Sequence, residues 1–187
     1  MDKFALLSKT VNFQIKTALT RLRGIKVIGN PLKSRCTMIG SFKCSKNSHI
    51  IIGSINASKN FYISSVDGAT IEIGNGVFLN RNCTIVAKKR IKIGDNCSFG
   101  PNVCIFDHDH TFGQAKKNGE NFKISDVIIG NDCWIGANTV VLRGTQVGDN
   151  CVIGAGCVLQ GKIPDNSLVV ADRKLQIKKL NNNNETL

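Results

Sequence analysis

The chain has 187 residues, 42% of them hydrophobic and 20% charged, with a formal net charge of +12. That is about one domain's worth of chain, and the balance excludes an intrinsically disordered protein. No run approaches the ~20 apolar residues of a membrane-spanning helix. The positive charge is not interleaved with aromatics in the way that stacks bases, so no nucleic-acid partner is expected. Eighteen glycines against three prolines, with 6% aromatics, suit stacked strands better than a helical bundle.

Residues 1–24 read as a basic amphipathic helix. Phe4, Leu7, Val11, Ile15, Leu19 and Leu22 step by three or four, the helical period, and Lys3, Lys9, Lys16, Arg21 and Arg23 lie beside that stripe. The helix is expected to cap an open end of the fold; the sharper alternative is peripheral contact with an anionic membrane through residues 1–23. The N-terminus lacks the apolar core of a signal peptide, and the eight cysteines include no CxxC pair. The expected setting is therefore reducing and cytoplasmic, at the inner face of the membrane if the helix binds lipid.

Residues 25–170 carry a repeat. It is irregular at first, in "IKVIGNPLKSRCTMIG" and the segment that follows. An aliphatic or Phe side chain then recurs every six positions at Ile73, Leu79 and Ile85, slips by two, and resumes at Ile93, Phe99 and Ile105. The frame returns at Ile129, Ile135, Val141, Val147, Ile153 and Leu159. Four places after most of these stands a compact residue, among them Val77, Cys83, Cys97, Val103, Cys133, Thr139, Thr145, Cys151 and Cys157. A six-residue period predicts an all-β solenoid of short parallel strands, three to a coil, in which residues eighteen apart stack. Gly or Asn beside each aliphatic residue suits the corner. The cysteines at compact positions are expected to fill a narrow interior.

The frame stops between Ile105 and Ile129, a gap of four hexapeptides, so the register survives and a loop, 106–126, is inserted. After Pro164 the pattern ends in a last strand, and 171–187 reads as a basic cap with a flexible tail. The root of the loop, "CIFDHDHTFG", holds two of the three histidines, His108 and His110. Imidazole titrates near neutrality and suits general-base work. Asp107, Asp109 and Asp126 are candidates to orient a ring. His-x-His also suits zinc, but the remaining histidine, His49, lies in the irregular segment, so no metal is expected.

The repeat, together with "LNRNCTIV", "IGDNCSFGPNVCI", "KKNGENF", "IGNDCWIGANTVV" and "VIGAGCVLQGKIP", resembles the left-handed parallel β-helix (hexapeptide-repeat) O-acetyltransferases, in particular the galactoside, maltose and capsule or polysaccharide enzymes. The resemblance implies a homotrimer with clefts between adjacent solenoids, acetyl-CoA as co-substrate and one histidine as general base. In that family the base follows the Val of "PNVxI" by seven residues, which is His110 here; His108 falls on the neighbouring register as the reserve candidate. Asn80 corresponds to the residue that holds the acceptor hydroxyl. Trp134, Ala137 and Ala155 correspond to positions along acetyl-CoA, and Lys162, Arg173 and Lys178 are near in sequence for its phosphates. The implied reaction is acetyl transfer to a sugar hydroxyl in surface polysaccharide or glycan synthesis. The alternatives are N-acetylation of an amino-sugar nucleotide and a non-catalytic trimeric scaffold. Two departures bear on the acceptor and CoA contacts: Ala87, Lys88 and Lys89 stand where acidic residues are common, and Lys162 is displaced by one position.

Overall fold

The structure is a computed structural model that describes residues 7–14, 24–29, 33–36, 40–111 and 122–172. Strands succeed one another around three parallel sheets that enclose one core. The first sheet runs through Ile25–Val27, His49–Ile52, Thr70–Ile73, Arg90–Ile93, Val127–Ile129, Gln146–Val147 and Lys162–Ile163. The second runs from Arg35–Cys36 to Leu168–Val169, and the third from Gly40–Cys44 to Val158–Leu159. The result is the left-handed parallel β-helix that the period anticipates.

The aliphatic frame forms the interior. Ile93, Phe99, Ile105, Ile129, Ile135, Val141 and Ile153 are all at most 1% exposed, and full burial of each contributes about 1.5–3 kcal/mol of transfer free energy. Stacking is eighteen residues apart in the C-terminal coils, as in Trp134 opposite Val152. Before the insertion it is wider: Ile71 pairs with Ile91 and Ile50 with Ile71. The uniform spacing expected from the repeat therefore holds only for the coil between the strands at 127–141 and those at 146–159; the last coil is shorter, with Val147 opposite Ile163 and Val152 opposite Leu168. The longer early corners are the physical reason that the first coils look irregular in sequence. Across the insertion Ile93 pairs with Ile129 and Ile105 with Val141, thirty-six positions apart, so the loop adds one coil's length and leaves the stack aligned.

The corners divide the work that the sequence assigns to Gly and Asn together. Among the described residues the left-handed backbone is carried by ten Asn and Asp residues and six glycines; Asn82, Asn102 and Asn138 have φ of 60°, 60° and 57°. Their side chains form a ladder, with Asn82 Nδ2 donating to Asn102 Oδ1 and Asn102 Nδ2 to Asn138 Oδ1, both at 2.9 Å. Glycine after the aliphatic residue serves close approach instead. A Cβ on Gly94 would sit 2.6 Å from the Gly130 carbonyl oxygen and 2.6 Å from Asn131 Oδ1 of the next coil.

At the N-terminal end, helix 7–14 buries Thr10 and Phe13, and the Phe13 ring meets Phe42 edge-on with centroids 6.2 Å apart. Leu7 and Val11 remain exposed on this helix. Phe4, Ile15, Leu19 and Leu22 of the proposed stripe lie outside the described residues, as do 173–187. No helix among the described residues is long and apolar enough to cross a membrane.

Seven of the eight cysteines are buried and all are free thiols; Cys104 alone is partly exposed. Burial pushes the Cys83 thiol up to about 11, which leaves almost no thiolate near neutrality. Ellman's reagent on the folded protein is expected to titrate no more than one thiol, and Cys104→Ser should remove it. A second test concerns the ladder. Asn102→Ala keeps a Cβ in left-handed backbone but removes the polar side chain that lets Asn adopt it, at about 1–2 kcal/mol, and breaks two hydrogen bonds. Asn102→Gly breaks only the bonds, so the urea midpoint should fall further for alanine than for glycine.

Candidate active site

The strand Cys104–Phe106 belongs to the third sheet, but the chain leaves the stack at Asp107. His108–His110 then pairs antiparallel with Phe122–Ile124, with His108 opposite Ile124, Asp109 opposite Lys123 and His110 opposite Phe122. Residues two apart in a strand share a face, so both imidazoles lie on the same side. The Phe122 ring packs against both, with centroids 5.5 Å from His108 and 4.7 Å from His110. Phe106 meets His108 edge-on at 6.1 Å. Lys88 Nζ sits 3.8 Å from the Phe122 centroid, a cation–π contact, and pairs with Asp67 at 2.6 Å.

Asp107 is the root of the hairpin. It is fully buried, one place beyond the Phe106–Val86 pair, in line with Ala87 and Ser65 of earlier coils. The two-residue slip in the repeat falls at Lys88–Lys89 of the coil beside it. The amides of those residues donate to Asp107: Lys88 N to Oδ1 at 2.9 Å and to Oδ2 at 3.1 Å, and Lys89 N to Oδ2 at 2.7 Å. The Asp107 carbonyl accepts from Ser125 N at 2.9 Å, which closes the hairpin base. Its Oδ1 also lies 2.9 Å from His108 Nδ1. The other two candidate aspartates pair with cations: Asp109 Oδ2 with Arg143 Nε at 2.6 Å, and Asp126 with Lys89 Nζ at 2.8 Å.

Phe106, His108, Asp109, His110, Lys123 and Arg143 line a cleft of about 600 Å³. His108 has a side chain only 13% exposed, whereas His110 is exposed at its rim. The arrangement offers two imidazoles on a rigid base, flanked by aromatic surface and by cationic groups. A neutral imidazole there can accept a proton from a bound hydroxyl. Among the described residues no three His, Cys, Asp or Glu side chains come together as a metal site, and His49 stands exposed on the first sheet.

The other sequence candidates lie elsewhere on the chain. Asn80 follows a strand of the second sheet, Val77–Leu79, where its Oδ1 accepts from Arg81 N at 2.8 Å. Trp134 projects outward from the second sheet, 57% exposed, in a column with Phe78, Ser98, Val152 and Leu168. Ala137 is half-buried at the following corner, and Ala155 and Lys162 are exposed; Arg173 and Lys178 lie outside the described residues. None of Asn80, Trp134, Ala137, Ala155 or Lys162 lines the histidine cleft. Sequence reasoning missed Phe122, Lys123 and Arg143. Phe122 and Lys123 sit in the inserted loop outside the repeat. Arg143 follows a regular aliphatic position, and only its distance of thirty-four residues from Asp109 hides the pairing.

Residues 126–161 match the bacterial transferase hexapeptide (six repeats) family. The galactoside O-acetyltransferase of Escherichia coli (strain K12) is 40% identical over 100 residues, which covers 53% of this chain and 49% of that protein. The putative lipopolysaccharide biosynthesis O-acetyl transferase WbbJ of the same strain is 30% identical over 146 residues, 69% of this chain and 74% of that protein. A solved galactoside acetyltransferase in complex with coenzyme A is similar with a TM-score of 0.54 at 25% identity, covering 88% of this chain and 74% of that one. The chain spans about half the length of the first curated relatives that it matches.

The Arg143–Asp109 pair ties the hairpin to a later coil while remaining partly exposed. Pairs of this kind are worth ~0–1 kcal/mol. Arg143→Ala should therefore leave the global unfolding midpoint nearly unchanged, yet speed amide hydrogen exchange at 108–110 and 122–124. Equal exchange in both proteins would show that the pair does not hold the hairpin.

Proposed function

Since the chain belongs to the hexapeptide-repeat transferases, we propose that it is an acyltransferase that moves the acetyl group of acetyl-CoA to a hydroxyl of a sugar. We place that reaction in surface polysaccharide or glycan synthesis. The observation that carries the reading is the histidine hairpin, which rises from the rigid stack and puts both imidazoles on one cleft.

A sugar hydroxyl holds its proton far above neutral pH, so its attack on a thioester carbonyl needs a base. His110 fills that role in this reading: it stands at the family register, seven residues after Val103, and it is the exposed ring of the pair. It takes the hydroxyl proton as oxygen attacks the acetyl carbonyl, and returns that proton to the departing thiolate of CoA. Charge grows on the carbonyl oxygen at the tetrahedral stage, where a hydrogen-bond donor is required. Alanine at 137 has no side-chain donor, so its backbone N–H is the group assigned there. Asn80 holds the acceptor, Trp134 and Ala155 flank the CoA arm, and Lys162 and Lys178 meet its phosphates.

These groups do not converge on one chain. The cleft holds the histidines, while Asn80 and Trp134 belong to the second sheet. A homotrimer with shared clefts would bring them together. The exposure of Trp134 at 57% and Leu168 at 70% supports burial of that outer surface against a neighbouring copy.

His110→Ala should lower kcat by ~10²–10⁴-fold, with the sedimentation mass staying at three chains of 20.3 kDa. The assay is thiol release from acetyl-CoA across a panel of glycans. Full activity in His110→Ala with loss in His108→Ala would move the base to His108. Products that resist alkaline hydrolysis, formed only from amino sugars, would replace the ester reading by amide formation. No turnover and no CoA binding by the wild type would leave a scaffold.

A further inference from the structure

Asp107 is the only buried carboxylate among the described residues. The rest of the buried polar set consists of Ser and Thr hydroxyls, which the stack accommodates cheaply. An ionised carboxylate in such a place needs its lone pairs filled. Here two oxygens receive three amide contacts from Lys88 and Lys89, and the remaining direction at Oδ1 is taken by His108 Nδ1 at 2.9 Å.

That contact constrains the imidazole. An ionised carboxylate accepts and never donates, so the nitrogen facing it must carry a hydrogen. Which ring nitrogen is protonated is set by the hydrogen bond that the other one makes. With Nδ1–H held by Asp107, neutral His108 is left with a bare lone pair on Nε2. The Phe106 and Phe122 rings close on the imidazole edge-on and oppose a ring flip that would exchange the two nitrogens.

We propose that Asp107 is a positioning residue that fixes His108 as the Nδ1–H tautomer and so presents Nε2 to the cleft as a permanent hydrogen-bond acceptor beside His110. The use of that acceptor, to hold a hydroxyl of the sugar while His110 works on its neighbour, rests on the acyl-transfer reading; the tautomer itself does not. The same carboxylate serves two purposes at once. It satisfies the amides opened by the two-residue slip at Lys88–Lys89, and it orders a ring of the histidine hairpin on the far side.

Long-range proton–nitrogen NMR on the full chain with ¹⁵N-labelled histidine reads the tautomer directly. It is recorded at a pH where both rings are neutral, with His108→Ala and His110→Ala for assignment. Wild-type His108 should show a protonated Nδ1 and an unprotonated Nε2. Asp107→Asn puts an amide donor within reach of Nδ1 and should shift His108 toward the Nε2–H form, with His110 unchanged. A wild-type His108 in the Nε2–H form, or in a mixture of the two, would overturn the proposal. It would do so even if Asp107→Asn fails to fold, because a carboxylate that merely closes the corner leaves the ring free to choose. Absence of acetyl transfer would sink the functional reading and leave the tautomer result standing.

Discussion

Everything in this molecule depends on one geometric requirement. Each six-residue side of a coil must deliver a side chain into an interior shared with the coils above and below. Parallel strands of two to five residues have few hydrogen bonds of their own, so no coil is stable alone, and the interior column supplies the cohesion. Two consequences follow at the corners. The chain must turn within very few residues, which puts Asn and Asp into left-handed backbone, and successive corners must nest, which excludes a Cβ at positions such as Gly94. Fold and composition are thus two views of one constraint, since the glycine and asparagine content is the cost of keeping the column in register.

The same requirement explains where chemistry can be placed. Inside the stack there is room for aliphatic groups, thiols and small hydroxyls, and a residue there is committed to packing. The reactive groups stand where the chain departs from the period. The slip at Lys88–Lys89 opens two amides, Asp107 fills them, and the hairpin that follows carries both imidazoles. Two irregularities nineteen positions apart are one structural event seen from adjacent coils. Lys88 and Lys89 are both engaged in this corner, with Lys88 laid across Phe122 and Lys89 paired with Asp126.

What was legible in the sequence divides along the same line. The columns through Ile93, Ile129 and Val147 were readable because a fixed period leaves a fixed mark, and so was the preserved register across the insertion. The first coils were not, because corners of variable length smear that mark, as the Ile25–Ile50 and Ile50–Ile71 pairings show. The histidines were found because imidazole is rare here and sits at a break. Asp107 is one of three aspartates that the sequence offers alike as partners of a ring, since burial at the end of a strand leaves no periodic trace to single it out. Arg143 and Phe122 were missed because each acquires its meaning only from a residue far along the chain. The separation of Asn80 and Trp134 from the histidines becomes visible only in three dimensions.

The insertion returns the chain to the stack as if nothing had happened. Ile93 meets Ile129 in the same manner as Val147 meets Ile163. The hairpin is therefore an attachment to the helix and no part of its framework. The length of chain between its two strands can change without any coil being moved, while the base stays fixed by Asp107 and Ser125. Such a design uncouples change in the attachment from the durability of its support.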